Sequence, residues 1–428
     1  MNRLRVGLDV TFCAMLRAQG EYGATGVGRV IEALVARLAR NPEIDFRLVG
    51  CRGGDPRPAL SSAQARAYGQ ERWPDIRFLE SVAGRFYPWY REPLRKLNQM
   101  SHPGRLSRWL RRGVNALARW ETTPHLKEAD IFHSTFFALP PRHVTGNRIV
   151  RIATVHDLIP LGDTGDTVAK RVTQALVESI DPARDWVMTI SEHTRNAVCS
   201  ATGLAPERAA VIPLAAEAVF QPHHDPHAIA TLFSGLGRPV SPFFLSVANP
   251  QPRKNLPFLI RIFGDLALRA GFEDFHLLLA GGAGQGGGTE EIVREIASLP
   301  DGVGSRVLRL GSMDDRLLSL LYSHCVAFVF PSLDEGFGLP PLEAMQCGAP
   351  VICSNRSSLP EVVGEAALLA SPDDARAFLE AMSATALDQS LRARLSEASR
   401  RRAAHFSWDR SAQEVMACYQ RAWRSRHL

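Results

Sequence analysis

The sequence predicts an α/β protein of two domains, each built on a parallel sheet with helical crossovers. Three observations lead there. The chain has 428 residues, more than one hydrophobic core usually organises. Its composition, 45% hydrophobic and 22% charged, is that of an ordinary globular protein and excludes wholesale disorder. Both halves alternate short β-branched or aromatic runs with longer helix-like segments, the pattern of strand–helix–strand units.

In the first half the expected strands are RVGLDV, FRLVG, IFHST, RIATVH, WVMTIS and AAVIPL, with helices including Val27 to Ala39 and Glu192 to Ser200. In the second half they are FFLSVA, FHLLLAG, VLRLG, AFVFPS, APVICS and AALLAS. Helices are expected over Leu256 to Arg269, Asp314 to Ser323, Pro341 to Gln346 and Asp373 to Ala384. The Pro-, His- and Gly-bearing stretch Glu217 to Pro242 reads as a linker, which puts the boundary near His223. The domains expected are thus 1–222 and 223–405, followed by a terminal helix in 406–428. Two open α/β domains in series leave a cleft at their strand C-terminal ends, a favoured place for ligands.

The N-terminal MNRLRVGLDVTF reads as a first buried strand, its apolar run being short for a secretory signal. No apolar run approaches the roughly 20 residues that span a bilayer. Seven scattered cysteines without a CxxC pair read as reduced thiols in a cytoplasmic protein. Between Arg91 and Arg119 eight cations face only Glu92, a net +7 that accounts for the +6 of the whole chain. Trp109, Trp120 and several leucines are interleaved with them. This composition suits an anionic membrane surface, and a solvated helical face explains it equally well. Nucleic acid, the competing partner for such a segment, is not expected.

Two segments carry chemistry. In Phe330 to Pro350, a strand runs into the glycine-bearing loop Glu335-Gly336-Phe337-Gly338, and a helix opens near Pro341. Glycines allow close backbone approach, and a helix start offers N–H groups to an anion. Glu335 and Glu343, eight positions apart, can accept hydrogen bonds from ligand hydroxyls. Either carboxylate alone is better explained as a solvated (Glu335) or dipole-complementing (Glu343) group; it is the whole segment, with its spacing, glycines and prolines, that points to a ligand. In Phe243 to Asn255, a strand ends in a turn with Arg253 and Lys254, and Asn255 can cap the following helix. Two cations at a helix start oppose its dipole, so an anion between them is the expected rationale.

EGFGLPPLEAM, PRKN and APVICSNRSSLPEV, in that family's order and spacing, resemble glycosyltransferase family 4, with TGVGR, VHDLIP and TISEHTR extending the resemblance into the first half. The resemblance implies the GT-B fold of two Rossmann-like domains, with the terminal helix crossing back onto the first. It implies transfer of a sugar from a nucleotide diphosphate to a hydroxyl with retention of configuration. Glu335 would contact donor sugar hydroxyls and Glu343 the ribose. Arg253 and Lys254 would neutralise the leaving diphosphate. Gly336, Phe337, Gly338 and Leu339 would line the donor through their backbone, with Gly28 and Gly281 as further donor contacts. His156 would face the reacting sugar and Asp157 the acceptor. One departure is Ala248, where the family often has glycine.

No DxD-type carboxylate cluster stands out, so no metal and no cofactor is expected; the cations and helix starts would stabilise the leaving group. TGVGR, VHDLIP and FHSTFFALP resemble the mannosyl-transferring branch, which points to GDP-mannose as donor. The acceptor expected is a glycan or lipid-linked saccharide of a surface polysaccharide, met at the inner face of the plasma membrane. The alternatives are another GT-B enzyme, such as a sugar-nucleotide epimerase or a phosphorylase, or a non-catalytic nucleotide-sugar sensor.

Overall fold

The computed structural model describes residues 3–10, 12–13, 26–49, 68–78, 126, 128–162, 167–282 and 288–427. The Arg91 to Arg119 segment and Cys51 lie outside them. The chain divides into two compact units, Met1–Pro213 with Trp408–Leu428, and Leu214–Ser407. The division thus falls at Pro213 and Ser407, not near His223. The reason is local: Gln346 of the second unit donates to the carbonyls of Glu217 and Phe220 at 2.9 and 2.6 Å, which fastens this stretch to that unit.

In the first unit β1 (Leu4–Asp9), β2 (Ile44–Val49), β3 (Arg77–Phe78), β4 (Ile131–Ser134), β5 (Val150–Val155), β6 (Trp186–Thr189) and β7 (Ala209–Val211) form one sheet in the order β3-β2-β1-β4-β5-β6-β7. In the second, β8 (Phe243–Val247), β9 (His276–Ala280), β10 (Val307–Gly311), β11 (Ala327–Phe330), β12 (Val351–Ser354) and β13 (Ala367–Ala370) are ordered β10-β9-β8-β11-β12-β13. Every strand pairing is parallel. The central strands β4, β6, β9, β11 and β12 are buried at every residue, and their sequences are mostly apolar apart from β4, which also buries His133 and Ser134. Strand order reverses between β1 and β4 in one sheet and between β8 and β11 in the other. Such switch points splay the loops that leave the strand C-termini and open a crevice there.

The stretch read as a linker contains a helix, Pro226–Gly235. Asp225 caps it by accepting from the Ala228 amide at 3.0 Å, and Pro226 opens the first turn. Ile229 and Phe233 are its buried residues. Unanticipated helices also cover Val168–Glu178, Gly288–Ala297 and Gln389–Ala403, and β3 is a two-residue edge strand.

The last long helix, Trp408–Arg424, belongs to the first unit. Val415, Met416, Cys418, Tyr419 and Ala422 line its buried face and join the core formed by Val6, Leu8, Ile31 and Val35. Arg37 pairs with Asp409 at 2.7 Å at the edge of this contact. One polar link runs through the core: His133 on β4 bonds Tyr419 Oη through Nδ1 at 2.8 Å and Thr154 Oγ1 through Nε2 at 2.7 Å. Burial, with His156 nearby, pushes the His133 imidazole down to about 3, so it folds neutral. Among the described residues no helix is long and apolar enough to cross a membrane, and no disulfide forms.

The depressed histidine makes stability depend on pH. Between about pH 6.5 and 3 the unfolded chain binds a proton at His133 that the folded chain refuses, so stability is lost as pH falls through that window. Replacing His133 with Gln is expected to flatten the loss by about 1.4 kcal/mol per pH unit. Urea unfolding of both proteins at pH 4.5 and 5.5 measures it; equal slopes would remove His133 as the cause.

Candidate active site

The two motif-bearing loops leave neighbouring strands at the second sheet's switch point. β8 and β11 pair in register Ala327↔Phe244 and Phe328↔Leu245, so their C-terminal ends lie side by side. From β8 the chain turns through the 3-10 segment Pro252–Lys254 into the helix Leu256–Ala267. From β11 it passes through Pro331 to Gly338 into the helix Leu339–Gln346. The Leu333 amide donates to the Arg253 carbonyl at 2.7 Å, and Ser332 Oγ to the same carbonyl at 3.1 Å, tying the loops together.

Glu335 is the centre of this arrangement. Its side chain is 8% exposed, as is that of Lys254, and Lys254 Nζ donates to Glu335 Oε1. Arg253 Nη1 lies 3.0 Å from Oε2, and Ser332 Oγ donates to Oε1 at 2.7 Å. Burial alone would favour the protonated acid, but Lys254, Arg253 and Ser332 outweigh it and hold the carboxyl below its ordinary range. Arg253 also donates from Nη1 to the Asp334 carbonyl at 2.8 Å and from Nε to Gln251 Oε1 at 3.0 Å. Lys254 Nζ sits 5.0 Å from the Phe330 ring centre. The anion that the adjacent cations require is therefore present within the chain, as Glu335 itself.

The loop is held open in shape by backbone anchors. Ser358 Oγ donates to the carbonyls of Glu335 and Phe337, both at 2.8 Å, and Ser357 Oγ accepts from the Glu335 amide at 2.9 Å. Ser357 has φ 51, an uncommon value for a residue with a side chain. Gly338 has φ 115, a conformation that side chains rarely adopt, and it leads directly into the helix. Gly336 is buried and Leu339 half-buried. The Phe337 ring turns into the unit's interior, edge-on to Phe406 at 5.9 Å, so only its backbone serves the loop. Glu343 is also buried, and Tyr322 Oη donates to its Oε2 at 3.2 Å.

One expectation is corrected. Asn255 does not cap the helix with its side chain. Its backbone is left-handed (φ 56, ψ 33), and its amide group donates instead to the carbonyls of Pro331 and Pro372 at 3.3 and 2.9 Å, bracing the neighbouring loop. Gly281 has a packing reason that the sequence did not suggest: with φ 139, a Cβ there would lie 2.2 Å from the Ala248 carbonyl oxygen. Ala248 is thus fixed by its carbonyl against Gly281, while its methyl packs at the core.

The remaining site residues lie in the first unit. His156 follows β5 and is buried. Its Nε2 donates to the Thr135 carbonyl at 3.0 Å, which fixes the tautomer, and burial pushes it down to about 4 despite that bond. Asp157 is half-buried and accepts from the Ile159 amide at 3.1 Å, closing a tight turn. Gly28 lies in the first turn of the helix Gly26–Leu38, its carbonyl 4.0 Å from Cys13 Sγ. Ser332, Ser357, Ser358 and Tyr322 were not singled out from sequence; the first three stand in motif segments, but their hydrogen-bond partners are visible only in three dimensions.

Because the pair is buried, removing one member strands the other. Lys254→Ala is expected to cost about 3–5 kcal/mol of stability, and Lys254→Ala combined with Glu335→Ala less than the two single losses together. Denaturant unfolding of the four proteins measures this coupling; additive losses would show that the pair is not energetically linked.

Comparison with known proteins gives two adjoining matches: "Glycosyltransferase Family 4" over residues 24–217 and "Glycosyl transferases group 1" over residues 233–402. The chain is 29% identical over 294 residues to the O-antigen chain mannosyltransferase B of Escherichia coli, covering 68% of this chain and 74% of that one. It is 33% identical over 248 residues to the serotype-specific mannosyltransferase WbdA of Escherichia coli, 57% of this chain but only 27% of that much longer protein. Among solved structures, the sucrose-phosphate synthase of Thermosynechococcus elongatus has the same fold, with TM-score 0.64, 21% identity and coverage of 99% of this chain and 100% of that one. With both units matched in succession and both sheets of the GT-B type, the chain belongs to glycosyltransferase family 4.

Proposed function

We propose that this glycosyltransferase moves mannose from GDP-mannose to a hydroxyl of a glycan or lipid-linked saccharide in surface polysaccharide synthesis, with retention of configuration. The observation that carries the reading is the buried Glu335–Lys254 pair, with the half-buried Arg253 beside it, at the β8/β11 switch point. Two mannosyltransferase relatives, one of them an O-antigen chain enzyme, support the choice of sugar and pathway class.

In this reading the second unit binds the donor and the first the acceptor. The diphosphate takes the place of Glu335 as the anion on Arg253 and Lys254, and the start of the helix Leu339–Gln346 contributes backbone N–H groups. Glu335, relieved of its cations, accepts hydrogen bonds from the sugar hydroxyls, while Gly336, Phe337, Gly338, Leu339 and Gly281 give close backbone approach. Glu343 accepts from the ribose. As the glycosidic bond lengthens, the fixed cations stabilise charge developing on the leaving oxygen, a role that needs neither a metal nor a cofactor. A donor phosphate oxygen receives the acceptor's proton during front-face attack. His156 remains neutral at pH 7 because of its burial, so it contributes a hydrogen bond and no charge. Asp157 orients the acceptor. The basic Arg91 to Arg119 segment would hold the protein at the inner membrane surface by attraction that weakens with salt.

A panel of nucleotide sugars assayed for nucleoside diphosphate release, with and without a lipid-linked saccharide, tests this. GDP-mannose is expected to turn over fastest, without added divalent metal, and the product anomer to match that of the donor by NMR. Arg253→Ala is expected to lower kcat/KM by roughly 10²–10³, the loss typical of one oxyanion-stabilising donor. Release from a different sugar nucleotide alone would overturn the mannosyl assignment, and binding without release would turn the protein into a sensor.

A further inference from the structure

Glu343 is held from behind by a residue outside both loops. Tyr322 lies on the helix Asp315–His324, which packs beside Leu339–Gln346, and its side chain is fully buried. The ring is fixed edge-on between Phe220, at 6.0 Å, and Phe328 of β11, at 5.4 Å. From that socket Oη donates to Glu343 Oε2 at 3.2 Å. A buried carboxylate needs donors, and a buried phenol needs an acceptor, so each satisfies the other. A phenol in an aromatic socket has few rotamers left, so the oxygen it binds is fixed in position rather than merely solvated.

We infer that Tyr322 is a positioning residue for nucleotide recognition: by clamping one oxygen of Glu343 it fixes the orientation in which that carboxylate meets the ribose hydroxyls of the donor. The inference rests on the donor-binding reading above and deepens it by assigning the carboxylate's geometry to a third element. Burial, with Glu343 and Cys347 nearby, raises the phenol well above its ordinary range, so it remains a proton donor throughout the working pH range. A ring lacking the hydroxyl keeps the packing against Phe220 and Phe328 but takes this donor away from the carboxylate. Discrimination between ribose and deoxyribose is then lost, whereas a purely structural tyrosine would leave that discrimination intact.

The test is the ratio of dissociation constants for a nucleoside diphosphate and its 2′-deoxy form, by titration calorimetry. GDP with 2′-deoxy-GDP, and UDP with 2′-deoxy-UDP, are measured on the wild type, Tyr322→Phe and Glu343→Gln. A ratio within one sample does not depend on the fraction of folded protein. The wild type is expected to prefer the ribonucleotide by about tenfold, the scale of one hydrogen bond to a charged group. Both variants are expected to fall below about threefold, part of that same scale. If the wild type discriminates and Tyr322→Phe keeps the full ratio, the inference on Tyr322 is overturned while the donor site stands. If the wild type does not discriminate, or binds neither nucleotide, the assignment of Glu343 fails and the inference with it.

Discussion

A carboxylate buried between an ammonium and a guanidinium is the interaction around which the second unit's loops are arranged. Taking the carboxylate and the ammonium out of water is costly, and their attraction, with that of the half-buried guanidinium, offsets the cost only when the geometry is tight. Here it is tight because both loops leave adjacent parallel strands. Neither loop could hold its own charge buried: without Glu335, Lys254 would be a cation in an apolar wall beside Phe330, and without the cations Glu335 would protonate. The cluster is thus a property of the strand order as much as of the residues.

The surrounding polar groups keep that geometry rigid. Ser332 reaches both loops, Ser357 and Ser358 fix the backbone of Glu335 and Phe337, and Asn255 uses its side-chain amide to brace Pro331 and Pro372. These are side chains spent on neighbouring backbone rather than on their own helix ends. Phe337 pulls inward while its peptide groups stay in the loop, so a segment rich in glycine keeps one shape. A second, parallel device holds Glu343 through Tyr322. Both carboxylates of the motif are therefore pinned by hydroxyls before any ligand arrives.

The parallel sheets were legible in the sequence because buried strands advertise themselves: AFVFPS and FHLLLAG are almost wholly apolar and end in turn residues. The edge strand Arg77–Phe78 was not, since two residues carry no periodicity. The helix Pro226–Gly235 was hidden by the histidines and prolines before it, although Asp225-Pro226 is a start signal that a closer weighing of capping would have found. In the site, Arg253, Lys254, Glu335 and Glu343 stood out by spacing and by the family's motif order. That Glu335 itself answers the two cations was not legible, because the partners are some eighty positions apart in the chain and joined only by strand order. The same holds for Tyr322, whose hydroxyl has no local signature, and for Gly281, whose reason is the carbonyl of Ala248.

The chain completes its first unit last. The core around β1 and the helix Gly26–Leu38 takes in Val415, Met416, Tyr419 and Ala422, and His133 on β4 finds its hydrogen-bond partner in Tyr419. During synthesis, the leading half therefore emerges with an unfilled apolar face and an imidazole missing one of its two partners, and waits while nearly two hundred residues of the other unit are made. In the interval that face stays uncovered, so the core of the first unit closes only once the helix Trp408–Arg424 has been made.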